Sequence, residues 1–186
     1  MTDTTTTSTP NPPVGTAAAL IPTQMMARAF TALRIFTGLV WLTNALAKVF
    51  DQGLYDFGFI SFNLVTLGSA RGIATNASGR TPIAPLAAFY RDVVLPNWGF
   101  FGTFLTVTEL AIGLGLIFGV ATRLAAVGGL LLLTPIWVML WTTGGYLWEY
   151  PAEDLFPLIL LAIVPAGRTG GLDRRLAHRL GHRWPS

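Results

Sequence analysis

Glu109 stands near the middle of an apolar run covering residues 98–120. A carboxylate about two helical turns from either end of such a run cannot reach the headgroups. It must be protonated, paired or set beside water, because lipid exposure of a charge costs roughly 2.5–3.5 kcal/mol on insertion scales. Gly102, Thr106 and Gly113 share its helix face. That face is small and lets a second helix approach closely. A second polar constellation lies upstream. Arg34, Trp41 and Lys48 are spaced by seven, with Asn44 between them. On a helix these four fit within an arc of about 80°. Arg34 and Lys48 sit near opposite ends of their run, so each either snorkels to an interface or faces the protein interior. Antiparallel packing would put Glu109 at a depth between Arg34 and Asn44, and an Arg34–Glu109 pair is expected.

Such a seam has two readings. It is a buried pair that only holds helices together, or it lines a cavity for a polar headgroup or a proton. In the second reading Glu109 and Arg34 are the catalytic candidates, and Trp41, Asn44, Lys48 and Glu109 bind the cofactor. Arg71, Arg80 and Arg91 are candidates for an anionic substrate through charge-assisted hydrogen bonds, or are merely solvated. His178 and His182 have the i, i+4 spacing that can hold a metal, but no third ligand is near and arginines surround them. A basic surface helix is the better reading. Asn76-Ala77-Ser78 matches a glycosylation sequon, a pattern common by chance. Cysteine is absent, which excludes disulfides, thiolate metal sites and thiol relays within the chain. Two tail histidines cannot build a buried bis-histidine haem site. No haem, metal or disulfide is expected.

The elements that must carry these residues follow from composition. Of 186 residues 52% are hydrophobic and only 11% charged. Soluble domains carry about 25% charged residues, so most of this chain does not face water. Residues 1–26, rich in Thr, Pro and Ala, read as a disordered tail. Four spans are expected, over residues 28–50, 98–120, 123–142 and 152–166. The first three approach the ~20 apolar residues that cross a bilayer, and the fourth is short. The fold class is therefore all-α, an integral membrane four-helix bundle occupying 27–171, followed by a basic tail helix over 172–186. A long loop, Asp51–Asn97, carries a short amphipathic helix over Pro85–Leu95, with turn punctuation at Asn76-Ala77-Ser78-Gly79. Its segment Phe57–Leu67 is apolar enough to dip into the membrane interface but too short to cross.

Charge gives the direction. Arg123 stands alone between spans two and three. Glu149, Glu153 and Asp154 stand between spans three and four. Arg168, Arg174, Arg175, Arg179 and Arg183 crowd the tail against Asp173. The positive-inside rule places both termini in the cytoplasm and the long loop outside. Trp98, Trp141, Tyr146, Trp148 and Tyr150 would form an outer aromatic belt. Membrane lipids are the surroundings this predicts, and nucleic acid is not a partner.

The stretch Leu33-Arg34-Ile-Phe-Thr-Gly38 through Asn44 to Lys48 resembles the opening helix of the DoxX/DoxD family. Glu109-Leu-Ala-Ile-Gly113, Gly119 and the Thr122-Arg123 turn continue the likeness, over roughly Ala27 to Asp173. The Pro-Asn-Trp approach to span two looks more like the DoxD type, the small subunit of thiosulfate:quinone oxidoreductase. The resemblance implies a four-helix membrane bundle in a bacterial-type inner membrane. It also implies quinone as cofactor and oxidation of thiosulfate to tetrathionate. Three functions remain open: a quinone-linked oxidoreductase subunit, a non-catalytic anchor or assembly partner for a soluble enzyme, and a small transporter. The first two bring a second subunit or a soluble redox enzyme as partner, and a homo-oligomer is compatible with all three.

Overall fold

The computed structural model describes residues 23–142 and 146–174, with the side chains of residues 146 and 147 outside that description. Helix α1 spans Thr23–Phe50. A small antiparallel hairpin follows, β1 (Leu54–Asp56) with β2 (Ser61–Asn63). Next come α2 (Leu67–Arg80) and α3 (Ala84–Phe89), the latter running on into a π turn over Tyr90–Val94. Helices α4 (Trp98–Phe118) and α5 (Thr122–Leu140) are the long central pair. Helix α6 (Tyr146–Tyr150) passes through a second π turn, Pro151–Leu155, into α7 (Phe156–Ile163). A 3₁₀ turn over Ala166–Arg168 starts the return of the chain under the bundle.

Helices α1, α4 and α5 are long and apolar enough to cross a membrane. Their large apolar side chains stay outward, including Phe36, Leu39, Phe100, Phe104, Val107, Phe118, Leu124 and Leu131. Contiguous apolar surface of that kind is what lipid covers. The stretch expected as span four is helical from Tyr146 to Ile163, but as α, π and α pieces. Its prolines explain the break. Pro151 and Pro157 lack N–H donors, and the ladder between them widens to a π turn with Phe156 N–H donating to Pro151 O.

Helix α1 packs most extensively on α4, and α5 packs on α7 and α4. The main core joins Trp41, Ile112, Leu116, Ala126, Leu133, Leu158 and Leu161. A second core, with Ala74 and Ala77 against Met139 and Leu140, seats α2 on the end of α5. This corrects one expectation. Asn76-Ala77-Ser78-Gly79 was predicted to turn, yet it lies inside α2, where Ala77 and Ser78 are buried. Burial under Met139 outweighs the local turn preference of Asn and Gly. Helix α1 also begins before the expected boundary, taking 23–26 from the tail. Residues 1–22 lie outside the described residues, as does the tail helix beyond Arg174, with Arg175, His178, Arg179, His182 and Arg183.

The end of the bundle bearing the Arg123 turn is stapled by charges placed on helix ends. Arg34 is fully buried, and its Nη1 donates to Leu116 O (2.5 Å) and Ile117 O (3.1 Å) in the last turn of α4. Arg123 donates to Ala162 O (2.9 Å) and Ile163 O (3.3 Å) at the end of α7. Both cations meet the negative ends of helix dipoles. Asp173 does the reverse. Fully buried, it accepts from Ala121 N–H (2.6 Å) and Thr122 N–H (2.9 Å) at the start of α5. Ala121, a left-handed residue with φ 48°, has no side chain to cap the helix itself. Asp173→Ala therefore costs about 1–2 kcal/mol, the loss of an N-cap. Thermal unfolding in detergent checks this, and an unchanged midpoint would remove Asp173 from the staple.

Candidate functional site

Toward the other end, α1, α4 and α5 together with α2, α3, α6 and the two π turns line a half-open cavity of about 720 Å³. Volumes of 300–1,000 Å³ suit small-molecule ligands. Most of its wall is apolar or aromatic, with Val40, Phe89, Trp98, Phe101, Leu105, Leu132, Ile136 and Met139 among the lining residues. The polar lining comprises Trp41, Asn44 and Lys48 from α1, Asn63 from β2, Tyr90 from the first π turn, Glu109 from α4, and Glu149, Glu153 and Asp154 from α6 and its π turn.

Lys48 Nζ stands 2.9 Å from Glu109 Oε2, with side-chain exposures of 3% and 13%. The same ammonium donates to Asn44 O at 3.3 Å. These two contacts leave one of its three N–H donors uncommitted. Asn44 Nδ2 is turned back onto Val40 O at 3.0 Å, so the Asn44 side-chain oxygen faces outward from that bond. The indole N–H of Trp41 is buried without a hydrogen bond of good geometry, beside the Asp154 carboxylate. Asp154 also lies within electrostatic reach of Glu153 and Glu109.

The expected seam thus forms in part. Trp41, Asn44, Lys48 and Glu109 converge on one cavity. The expected Arg34–Glu109 pair does not form, and Lys48, the chain's sole lysine, takes the partner's role. The cause is register. Gly38 and Gly113 meet backbone to backbone, which sets Glu109 opposite the Lys48 end of α1 and leaves Arg34 level with Leu116 and Ile117. Neither cation snorkels, since both are buried. Arg34 does not line the cavity.

Arg71, Arg80 and Arg91 do not line it either. All three are exposed on α2 and the π turn that follows α3, and Arg91 pairs with the neighbouring Asp92 at 3.0 Å. The aromatic residues expected as a belt divide. Trp141 and Trp148 stay exposed, whereas Trp98 and Tyr150 line the cavity, and the Tyr146 side chain lies outside the description.

Polar residues missed from sequence are Glu149, on α6, and Tyr90, Glu153 and Asp154. The last three come from π turns, and both π turns in the described residues line the cavity. π turns are frequent at functional sites because the extra residue re-aims side chains. The signal available was a proline-bounded acidic segment, Pro151-Ala-Glu-Asp-Leu-Phe-Pro157, opening an apolar run. Burial raises the Tyr90 hydroxyl above the ordinary tyrosine range, so it stays a neutral donor. Among the described residues no group of three His, Cys, Asp or Glu side chains is arranged to hold a metal. No protein-family model, curated protein or solved structure matches this chain significantly.

Proposed function

We propose that the chain is a multi-pass subunit of a quinone-linked oxidoreductase in a bacterial-type inner membrane, with the 720 Å³ cavity as the quinone site. The cavity carries this reading. It is apolar enough for a quinone ring and the start of its isoprenoid tail and ends on polar donors. Those are the third N–H of Lys48, next to Glu109, and the indole N–H of Trp41, poised next to Asp154, with the Tyr90 hydroxyl also on the cavity wall. A bound quinone would supply the acceptor for two electrons and two protons. Lys48 and Trp41 orient the headgroup by donating to its oxygens. Glu109 and Asp154 hold or release protons next to it. The resemblance to DoxX/DoxD proteins points the same way.

In this reading the α6–α7 stretch is the fourth span. Both chain ends face the cytoplasm, on the side of Arg123 and Arg168, and α2, α3 and the hairpin lie outside. The cavity wall carries Glu109, Glu149, Glu153 and Asp154 against Lys48 alone. In this reading thiosulfate, the donor that the resemblance implies, is held away from that acidic wall, either on this chain or on a second subunit or soluble redox enzyme. The anchor reading ranks second because stapled helix ends suit it but a cavity of this size is unnecessary for it.

Titrating the purified protein with a short-chain ubiquinone analogue, followed by tryptophan fluorescence, tests the reading. Saturable binding is expected. Trp41→Phe, which keeps a ring and removes the N–H, weakens it roughly three- to tenfold, the worth of one neutral hydrogen bond. A wild-type protein that takes up no analogue, yet co-purifies a soluble enzyme that is lost on deleting residues 172–186, would establish the anchor instead.

A further inference from the structure

The hairpin leaves an apolar surface with nothing over it. Phe59 is 91% exposed at its tip with Phe57 and Ile60 exposed beside it, and Phe62 and Leu54 are exposed further down the strands. The tip is built, not loose. Tyr55 stacks on Phe62 with ring centroids 5.4 Å apart, and Phe57 leans on the same ring at 6.1 Å. Phe57 N–H donates to Ile60 O at 2.9 Å, and Asp56 accepts from Gly58 N–H at 2.9 Å. Gly58 takes φ +80° with open space around it, so the turn is shaped to push Phe59 outward. No charged residue lies between Phe57 and Asn63. A two-stranded hairpin with bare edges is marginal in water and invites association.

We infer that this hairpin tip is inserted in the lipid of the membrane that α1 crosses, at the headgroup–acyl boundary. Its attachment carries the choice of occupant. Val49 and Phe50, exposed on the last turn of α1, bring the lipid-facing surface up to the hairpin, and only Asp51, Gln52 and Gly53 intervene. Strands of three residues reach about 10 Å, so the tip cannot travel far from the level at which α1 leaves the hydrocarbon. Tyr, as at position 55, is enriched at that level, and exposed Phe side chains bury their rings at the headgroup–acyl boundary. The Asp56 carboxylate, at the head of the turn and bonded to Gly58 N–H, stays at headgroup level and limits the insertion to the side chains of residues 57–60. The base of the hairpin lines the cavity through Asn63, Leu64 and Val65. The inserted tip thus pins one rim of the cavity at the lipid surface, where an amphiphile passes from membrane to protein. The insertion itself stands whether or not that amphiphile is a quinone.

The chain has no cysteine, so one introduced thiol is the only labelling site. Phe59→Cys carrying a nitroxide, in the full-length protein in phosphatidylcholine vesicles, is compared with Asn76→Cys on the exposed polar face of α2. Collisions with lipid-soluble oxygen are expected to exceed those with a water-soluble nickel chelate several-fold more at 59 than at 76. Ile60→Cys gives the same readout if Phe59→Cys folds poorly. Equal nickel accessibility at 59 and 76 would overturn the insertion. So would line broadening at 59 that disappears on dilution with unlabelled protein, because the tip would then be covered by a second copy.

Discussion

Glu109→Ala lowers the stability of the detergent-solubilised protein by about 3–5 kcal/mol, and adding Lys48→Met recovers most of that loss. The expectation follows from where the pair sits. Lys48 is 3% exposed and Glu109 13%, with their charges 2.9 Å apart. Removing the carboxylate leaves a buried ammonium whose remaining hydrogen bond among the described residues is to the Asn44 carbonyl. Removing both charges takes away the attraction and the desolvation penalty together. Loss of the pair as a unit is therefore mild while loss of one half is severe. A double-mutant cycle on thermal or denaturant unfolding measures the coupling, and single-variant costs that simply add would mean the pair is not formed. The cycle also separates structure from function. Glu109→Gln still inserts but loses quinone binding. The double variant Lys48→Met/Glu109→Leu folds and binds no quinone analogue. Full binding by that stable double variant would leave the pair a structural tie and move the site elsewhere in the cavity.

The three long helices were legible in sequence because a membrane span is a one-dimensional signal. The expected runs 28–50, 98–120 and 123–142 meet helices Thr23–Phe50, Trp98–Phe118 and Thr122–Leu140 with ends shifted by a few residues. The polar face of α1 was legible for the same reason, since helical periodicity alone puts Trp41, Asn44 and Lys48 together. The partner of Glu109 was not. Choosing between Arg34 and Lys48 needs the axial offset of α1 against α4, which two glycines set through a contact that no periodicity reveals. Asp154 was read only as a marker of sidedness, because its inward aim depends on a π turn between two prolines. In sequence Asp173 is one acid among the tail arginines. Its role as the cap of α5 comes from a contact 51 and 52 residues distant in sequence. Local patterns thus reported elements and faces, and the long-range pairings that make the site had to come from packing.

Gly113→Leu is expected to be among the most damaging single substitutions in the bundle. A Cβ at Gly113 would stand 2.7 Å from Leu42 N, 3.0 Å from Leu42 Cα and 3.1 Å from Gly38 O. All three are backbone atoms, so no side chain can swing away. Gly38 makes the reciprocal contact, with a Cβ there 2.8 Å from Ile117 Cγ1, 2.9 Å from Ile117 N and 3.0 Å from Gly113 O. The helices must part. Overpacking alone costs about 1–3 kcal/mol. Separation also withdraws the α4 carbonyls from Arg34 at one end and Glu109 from Lys48 at the other, so the total rises above that range. The unfolding midpoint should fall sharply, and binding of the quinone analogue should go with it because both walls of the polar seam move. Gly128→Ala is the matched control. Nothing lies within 4 Å of its Cβ position, so it gains roughly 0.5–1 kcal/mol from helix propensity. If Gly113→Leu unfolded at the wild-type temperature, α1 and α4 would not meet at these glycines. The offset that pairs Lys48 with Glu109 would then lose its cause.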